Sequence, residues 1–250
     1  MRARTAFSAF HQTLPVISGA TRLVGLIGKP VAESLSPRMQ NAAFAARGLD
    51  WAYVPLEVAE EEQLEAALRG LVALGFAGAN VTIPYKEAAA RLCDEADGES
   101  VNTLVVEDGR LLGFNTDREI VRMIPALRVC MIGAGGAARA LRPEFRGEVR
   151  VFSRSGNWPP DAAGCDLIVN ATPVKDELLV RPRADQAVVD LAYNVDGKPT
   201  ALVVAAREAG CAVVVDGLEA LVRQGTASFE RWTGAPAPVD VMRAAVGLAE

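Results

Sequence analysis

The sequence predicts an α/β protein made of two units, and three observations support this prediction. Short apolar runs alternate with amphipathic stretches along the chain, as in sheets covered by helices. A glycine-rich stretch at 133–138 directly follows one apolar run. Only a short segment containing Pro159 and Pro160 separates Ser155 from the apolar run at 167–170, whereas a parallel crossover needs about a dozen residues, usually helical. The first unit is therefore predicted to hold a mixed, mostly parallel sheet, and the second to be a shortened Rossmann-like unit.

Composition and charge exclude several classes of protein. The chain has 250 residues, of which 50% are hydrophobic and 23% charged, which is typical of a globular protein. Its net charge of −5 leaves no basic footprint for nucleic acid. The single histidine, His11, lies in the N-terminal extension. We therefore expect no histidine-based metal site, no metal cofactor and no Ser-His-Asp triad.

The cysteines and the chain ends suggest a compartment. The four cysteines form no Cys-x-x-Cys pair, and three of them lie in or beside apolar runs. We interpret them as buried thiols of a cytoplasmic protein. No apolar stretch reaches the ~18 residues of a membrane helix. Residues 1–20 read as a loosely ordered extension, because polar residues interrupt any signal-peptide core.

The first unit alternates strands and helices. Ser36 and Pro37 are suited to the N-cap and first turn of a helix. Leu64, Leu68 and Leu71 recur at helical spacing and form one apolar face. The predicted strands cover 21–28, 51–58 and 78–82, followed by a hairpin of 101–106 and 110–114. The predicted helices cover 36–46, 60–74 and about 84–93.

The second unit consists of short apolar strands followed by C-terminal helices. The glycine-rich stretch separates the first of these strands from a short helix, and repeated β–α alternation favours parallel pairing. The predicted strands cover 127–132, 149–153, 167–170, 187–191 and 211–215. The predicted C-terminal helices cover about 218–232 and 239–248.

The glycine-rich stretch Gly-Ala-Gly-Gly-Ala-Ala at 133–138 indicates dinucleotide binding. Glycines let the backbone approach a pyrophosphate, and a helix N-terminus offers free N–H groups to the anion. The next strand ends in Ser153, Arg154 and Ser155, with no carboxylate in this position. An arginine there suits the 2′-phosphate of NADP, whereas NAD-binding folds place an acid. A solvated surface arginine is the alternative interpretation.

Polar residues collect at the predicted strand ends and loops of the first unit, where α/β folds place their ligand-binding groups. Each has a structural alternative, such as helix capping by Ser36 or Asp117. Together, these hydroxyls, amides, one lysine and one aspartate suit a polyhydroxylated, carboxylated small molecule. They are Ser34, Ser36, Asn80, Thr82, Lys86, Asn102, Thr103, Asn115, Thr116 and Asp117.

From about residue 21 to the C-terminus, the sequence resembles the shikimate dehydrogenase family (shikimate/quinate dehydrogenases) in several motifs, which occur in the order typical of that family. The most specific blocks are Ser-Leu-Ser at 34–36, Asn-Val-Thr-Ile-Pro-Tyr-Lys at 80–86 and Asn-Thr-Asp at 115–117. The other matches are Val-Asn-Thr-Leu at 101–104, the glycine-rich stretch, Asn-Ala-Thr-Pro at 170–173, Asp-Leu-Ala-Tyr-Asn at 190–194 and the block at 216–224.

This resemblance implies a role for individual residues. Lys86 and Asp117 would be the catalytic pair. The residues around shikimate would be Ser34, Ser36, Asn80, Thr82, Asn102, Asp117, Tyr193 and Gln224. The residues that hold NADP or lie near its nicotinamide would be Gly133, Ala134, Gly135, Gly136, Ala137, Ser153, Arg154, Ser155, Leu191 and Gly217.

The resemblance also implies an organisation and an activity. Residues 21–120, completed by 221–250, would form a substrate domain, and 121–220 an NADP-binding domain. The expected reaction is the NADP-dependent, reversible reduction of 3-dehydroshikimate to shikimate, in the shikimate pathway, which leads to chorismate and the aromatic amino acids. The expected partner is the small-molecule substrate, with no nucleic acid and no membrane, in a monomer or homodimer.

The sequence departs from the family pattern mainly in the cofactor half. Arg118 replaces the small residue that usually follows Asn-Thr-Asp, and residues 174–177 replace a glycine-containing turn. Glu219 and Ala220 stand where the family has Gly-Met, and the segment 94–101 is short.

Two alternatives remain open from the sequence. A quinate or aminoshikimate dehydrogenase is one, although Ser36 and the lack of an acid after the strand at 149–153 favour shikimate and NADP. A catalytically weakened homologue that binds a shikimate-like ligand is the other, because the cofactor half is trimmed. Retention of both Lys86 and Asp117 argues against the second alternative.

Overall fold

The computed structural model describes residues 17–248, which form two sheets, each with helices on both faces. Residues 1–16, most of the extension expected from the sequence, lie outside the described part of the chain. The α/β class predicted from the sequence is confirmed.

The first sheet has six strands in the order β2-β1-β3-β5-β6-β4. The pairs β1–β2, β1–β3 and β4–β6 are parallel, whereas β3–β5 and β5–β6 are antiparallel. The sheet is therefore mixed, as expected. The strands are β1 Arg22–Gly28, β2 Trp51–Glu57, β3 Gly78–Val81, β4 Glu95–Ala96, β5 Thr103–Glu107 and β6 Arg110–Phe114.

Alternation along β1 buries both faces of the first sheet. Val24 and Leu26 face one core, and Ile27 faces the core on the opposite side. The helices of this region are α1 Ser36–Ala46, α2 Leu64–Ala73, α3 Lys86–Leu92 and the short α4 Arg118–Val121.

The start of α1 differs from the prediction. Ser36 is the first helical residue and Leu35 takes the N-cap position, with no side-chain capping bond. The Ser34 hydroxyl instead accepts a hydrogen bond from the Ser36 backbone N–H at 3.2 Å. The N-cap assignment of Ser36 was therefore wrong, because the chain enters the helix one residue earlier.

The second sheet has five strands, all parallel, in the order β11-β10-β9-β7-β8. The strands are β7 Arg128–Ile132, β8 Glu148–Phe152, β9 Leu167–Asn170, β10 Ala187–Asp190 and β11 Val214–Val215. The helices α5 Gly136–Leu141 and α6 Ala201–Glu208 pack on opposite faces. The predicted strand 211–215 is shorter than expected, because Cys211 still bonds to the end of α6 through the carbonyl of Ala206.

The crossover after β8 lacks regular structure. Residues 153–166, all of which are described, form neither a helix nor a strand. The chain passes from β8 to β9 on the other side of β7, so β8 is left as an edge of the sheet. The shortened Rossmann-like unit predicted from the spacing is confirmed.

The two C-terminal helices return to the first sheet. These are α7 Gly217–Thr233 and α8 Val239–Ala245. Phe229 and Trp232 of α7 enter the core beside β1, and the Trp232 indole donates a hydrogen bond to the Leu104 carbonyl at 2.8 Å. A Cβ at Gly78 would lie 2.6 Å from that indole nitrogen. Glycine at this position therefore lets α7 pack directly on the sheet.

None of the helices in the described part of the chain has the length and apolar character that crossing a bilayer requires. Cys93, Cys130, Cys165 and Cys211 are all free thiols. Cys130 and Cys165 are buried, while the other two are half-buried.

Candidate functional site

Strand pairing gathers the polar residues of the first unit at one edge of the first sheet. In the antiparallel ladder, Thr103 lies opposite both Asn80 and Phe114. The residues that follow Phe114 therefore meet Asn102 and Asn80 at the same place. This register explains why three motifs far apart in sequence form one cluster.

Lys86 and Asp117 form a buried ion pair in this cluster. Lys86 Nζ lies 2.5 Å from Asp117 Oδ2, and the two side chains are only 12% and 9% exposed. Lys86 opens α3 and Asp117 precedes α4, so two helix starts set their positions. Asp117 occupies an N-cap position without capping by its side chain. Its carboxylate is therefore available to Lys86.

Asn102 holds the other oxygen of Asp117. The Thr116 backbone N–H donates to Asn102 Oδ1 at 2.8 Å, which fixes the orientation of the amide because a backbone N–H can only donate. Asn102 Nδ2 then faces Asp117 and donates to Oδ1 at 2.7 Å. Both carboxylate oxygens of Asp117 thus accept hydrogen bonds from named side chains.

Behind Asn102 lies a buried cluster of three hydroxyl groups from Thr103, Thr116 and Ser228. The Ser228 oxygen is 2.8 Å from that of Thr103 and 3.2 Å from that of Thr116. Ser228 belongs to α7 and is fully buried. Sequence reasoning missed Ser228, although it lies four residues after Gln224 and therefore on the same side of a helix. The cluster links the C-terminal helix to the ion pair.

Asn80 and Tyr53 extend this network away from the ion pair. Asn80 Nδ2 donates to the Asn102 carbonyl at 2.9 Å, and the Tyr53 hydroxyl donates to Asn80 Oδ1 at 2.8 Å. Burial raises the pKa of Tyr53 well above its usual range, with an opposing effect from a hydrogen bond to Ser36. Tyr53 was not predicted as a site residue, since a tyrosine in a strand ordinarily signals core packing.

A cleft of about 410 Å³ between the two sheets contains the ion pair. All eight predicted substrate-binding residues line it, together with Lys86 and three of the predicted cofactor-binding residues. The predicted residues that line the cleft are Ser34, Ser36, Asn80, Thr82, Lys86, Asn102, Asp117, Ala137, Leu191, Tyr193, Gly217 and Gln224. Polar lining residues that were not predicted are Glu33, Thr172 and Lys175.

The second sheet contributes Tyr193 to the cleft from the loop after β10. Burial raises the pKa of the Tyr193 hydroxyl, while hydrogen bonds with the Leu35 backbone and the Ser34 side chain lower it. The phenol is therefore protonated at neutral pH, and it connects the second sheet with Ser34 and the Leu35 backbone of the first unit.

Asp190 anchors the loop that carries Tyr193. Its carboxylate accepts hydrogen bonds from the Ala192 backbone, the Asn170 amide and the Thr200 hydroxyl. Burial raises the pKa of Asp190, and these hydrogen bonds act in the opposite direction. Asp190 therefore ties the ends of β9 and β10 to the start of α6.

The glycine-rich turn fits a dinucleotide. Gly133 has a φ of +108°, and a Cβ there would lie 2.9 Å from the Ala171 carbonyl oxygen, so the fold itself requires this glycine. Gly135 and Gly136 are different, because a Cβ at Gly135 would meet nothing within 4 Å and one at Gly136 only Lys86 Cβ at 4.0 Å. Ala134 lies between these glycines in the same turn. The backbone of Gly135 and Gly136 therefore faces open space beside Lys86. A pyrophosphate needs such accessible backbone N–H groups at the start of a helix.

The predicted phosphate-binding residues do not line the cleft. Ser153 and Ser155 form a tight turn at the end of β8, with their hydroxyl oxygens 3.3 Å apart. Arg154 is exposed in this turn, and its Nη2 lies 3.3 Å from the Glu177 carboxylate. Arg154 therefore lies just after the end of β8, as predicted. Its pairing with Glu177 was not predicted from the sequence.

Two departures from the family pattern have structural explanations. Arg118 points away from the cleft and pairs with Asp97 at 2.9 Å. Glu219 pairs with Arg223 at 3.3 Å and with Arg243 of α8, so its carboxylate stays outside the cleft. Neither substitution puts a charge into the cleft.

Within residues 17–248, no group of three or more His, Cys, Asp and Glu side chains is arranged to hold a metal ion. The residues that line the cleft supply ammonium, carboxylate, amide and hydroxyl groups.

The fold and the cleft together define a class of α/β protein. In this class, a Rossmann-like sheet with a glycine-rich turn faces a second α/β unit, and polar residues fill the space between them.

Comparison with known proteins identifies the family. The model of the shikimate dehydrogenase substrate binding domain matches residues 26–104, and that of the shikimate 5'-dehydrogenase C-terminal domain matches residues 217–246. The chain is 43% identical to the shikimate dehydrogenase (NADP(+)) of Rubrobacter xylanophilus, over 94% of this chain and 98% of that relative. It is 39% identical to that of Methanopyrus kandleri, over 92% and 96%. The chain belongs to the shikimate dehydrogenase family.

Solved structures agree with this assignment. The shikimate dehydrogenase of Aquifex aeolicus superposes with a TM-score of 0.79 at 31% identity, covering 92% of this chain and 99% of that chain. The enzyme of Thermus thermophilus in complex with NADP(H) and shikimate superposes with a TM-score of 0.76 at 31% identity, covering 90% and 98%. The alignment with the Rubrobacter relative runs over 287 positions, more than the 250 residues of this chain. That relative therefore carries segments that this chain lacks.

Proposed function

We propose that this protein is an NADP-dependent shikimate dehydrogenase, which reversibly reduces 3-dehydroshikimate to shikimate in aromatic amino-acid biosynthesis. The observation that carries this proposal is the buried Lys86–Asp117 pair, 2.5 Å apart, in the cleft beside the open backbone of the glycine-rich turn.

The reaction divides into the transfer of a hydride to carbon and of a proton to oxygen. The nicotinamide of NADPH supplies the hydride when it is bound. Lys86 stabilises the negative charge that develops on the ketone oxygen and delivers the proton to it. Asp117 orients the ammonium and shares the proton, so the two residues act as a coupled pair. In the reverse direction, the pair takes the proton from the hydroxyl group of shikimate.

The lining of the cleft suits the substrate that we propose. Shikimate carries a carboxylate and several hydroxyl groups on a small ring, and each needs a polar partner when water is excluded. The serines at 34 and 36, the Tyr193 hydroxyl and the amides of Asn80 and Asn102 all line the cleft and offer such partners. The proposed substrate-binding residues are Ser34, Ser36, Asn80, Thr82, Asn102, Asp117, Tyr193 and Gln224.

The proposed cofactor-binding residues fall into three groups. Gly133–Ala137 receive the pyrophosphate, and Ser153–Ser155 receive the 2′-phosphate. Leu191 and Gly217, which line the cleft that contains Lys86, would lie against the nicotinamide. A Cβ at Gly217 would lie 2.2 Å from the Ala192 carbonyl oxygen, so a glycine is required there for the loop to close on α7.

The proposed domains follow the two sheets. Residues 21–120 with 221–250 form the substrate domain, and residues 121–220 form the NADP-binding domain. The packing of Phe229 and Trp232 against the first sheet supports assigning the C-terminal helices to the substrate domain.

We further propose that the protein acts on its small-molecule substrate in the cytoplasm, without a nucleic-acid or membrane partner. The net charge of −5 and the four free thiols support this. A monomer or homodimer is expected, and light scattering after size exclusion distinguishes the two.

An absorbance assay tests the activity. The purified protein is mixed with shikimate or quinate and with NADP⁺ or NAD⁺, and the reduced cofactor is followed. Turnover of shikimate with NADP⁺ is expected. Turnover of quinate alone would instead identify a quinate dehydrogenase. If no combination turns over but shikimate still raises the melting temperature, the protein is a binding homologue.

A further inference from the structure

The carboxylate beside Arg154 belongs to Glu177, which lies far from β8 in the sequence. Strand β8 is followed directly by Ser153, Arg154 and Ser155, none of which carries a carboxylate. Glu177 comes from the loop after β9, 23 residues further along the chain, and places Oε2 at 3.3 Å from Arg154 Nη2. The structure therefore brings an acid and a base together at the one strand end where Rossmann-like folds distinguish the two nicotinamide cofactors.

Both side chains of this pair are free to change partners. Arg154 is 69% exposed and Glu177 is 62% exposed. An exposed ion pair contributes little to stability, because water and salt compete for both charges. A ligand group that arrives between them can therefore take either side chain at little cost.

The two cofactors differ only at the group that would arrive there. The 2′-phosphate of NADP is an anion and pairs with a guanidinium, whereas the free 2′-hydroxyl of NAD donates a hydrogen bond to a carboxylate. With Arg154 and Glu177 side by side, the site offers the partner that each cofactor needs.

We infer that Glu177 is a specificity-determining residue that accepts the ribose 2′-hydroxyl of NAD, so that the enzyme uses NAD as well as NADP. This inference rests on the activity proposed above. Glu177 also repels the negatively charged 2′-phosphate of NADP. It therefore reduces the preference for NADP in two ways, by strengthening the binding of NAD and by weakening that of NADP.

The test is Glu177→Gln, which keeps the shape of the side chain and removes its charge. The KM for NAD⁺ is expected to rise about 3- to 5-fold, because a neutral amide accepts a weaker hydrogen bond than a carboxylate. The KM for NADP⁺ is expected to fall about 2- to 3-fold, because one repelling charge at an exposed position is removed. The effect on NADP⁺ shrinks at high salt, whereas the effect on NAD⁺ persists.

Asp176→Asn is the matched control. It removes the same charge from the neighbouring position, and the ion pair of Arg154 involves Glu177 instead. The ratio of kcat/KM for NADP⁺ to that for NAD⁺ is expected to stay at the wild-type value in this variant. The inference is overturned if Glu177→Gln leaves this ratio unchanged, or if both acid variants shift it equally.

A binding measurement separates this inference from the proposed activity. The rise in melting temperature with NAD⁺ and with NADP⁺ is compared between wild type and Glu177→Gln, without substrate. A smaller rise with NAD⁺ and a larger one with NADP⁺ supports the inference, even if shikimate does not turn over. Equal rises in the two proteins overturn it.

Discussion

The Lys86–Asp117 pair and the Arg154–Glu177 pair are both ion pairs at strand ends, but their surroundings differ. Lys86 and Asp117 are buried, and each oxygen of the carboxylate has a named donor. Arg154 and Glu177 are mostly exposed and lie 3.3 Å apart, and the Arg154 guanidinium also lies 5.7 Å from the centre of the Trp158 ring. Buried charges persist only with fixed partners, whereas exposed ones exchange partners with water and ligands. We therefore expect the first pair to be organised before the substrate binds, and the second to be organised by the cofactor that binds.

The largest expected effect comes from breaking the buried pair. Lys86→Ala is expected to lower kcat by about 100-fold or more, because the proton and the charge stabilisation are lost together. The KM for shikimate is expected to change little, since the hydroxyls and amides of the cleft remain. Steady-state kinetics measure both values, and Lys198→Ala, at an exposed surface pair, is the control. A near-normal kcat would remove Lys86 from the mechanism.

The exposed pair is expected to show a smaller and more selective effect. Arg154→Ala is expected to raise the KM for NADP⁺ about 10-fold, through loss of a charged hydrogen bond to the 2′-phosphate, and to leave the KM for NAD⁺ nearly unchanged. Arg146→Ala is the control, because Arg146 is exposed at the opposite end of β8. Equal changes for both cofactors would refute a contact with the 2′-phosphate.

The hydroxyl cluster behind the buried pair gives a third test. Ser228→Ala is expected to reduce the free energy of unfolding by about 1–2 kcal/mol, because Thr103 and Thr116 lose a buried partner. A several-fold fall in kcat is also expected as Asn102 loses part of its support. Urea denaturation and kinetics measure the two effects.

Thr233→Ala is the matched control for Ser228→Ala. Thr233 makes the same bond to the carbonyl four residues earlier on α7, but it lies outside the cluster. Equal losses of kcat in both variants would show that the cluster does not support Asn102.

The smallest effect on stability is expected from breaking an exposed ion pair that joins the two units. Glu87 of α3 lies 2.6 Å from Arg139 of α5. Glu87→Gln is expected to reduce stability by at most about 1 kcal/mol, and only at low salt. Glu65→Gln breaks an ion pair within α2 and serves as the control. A large, salt-independent fall in melting temperature from Glu87→Gln alone would contradict this ranking.

The sequence predicted the buried region more completely than the exposed one. All eight predicted substrate-binding residues line the cleft, and the register of the first sheet brings the polar motifs of that sheet together. Ser228 and Tyr53 were missed, since a buried serine on a helix and a tyrosine in a strand look like ordinary core residues in a sequence. The partners of Ser228 become visible only when α7 lies on the first sheet, and Tyr53 meets Asn80 only in the assembled sheet.

The pairing of Arg154 with Glu177 could not be read from the sequence for a different reason. The two residues belong to separate loops, and neither loop has a regular pattern that fixes its path. The short crossover itself was predictable, because the number of residues between two strands limits what can lie between them. Where a charged side chain in such a loop points depends on tertiary contacts that periodicity does not encode.

The crossover after β8 contains no helix and β8 lies at the border of the second sheet, which affects association between molecules. A strand at the border of a sheet exposes unpaired backbone groups, which template aggregation unless charges interrupt the approach of another chain. Strand β8 carries Glu148 and Arg150 along its five residues, and Arg150 is anchored to Cys165 Sγ at 2.8 Å. Because charged side chains on a border strand oppose pairing with another chain, we expect β8 to resist edge-to-edge association although it has no neighbour on one side.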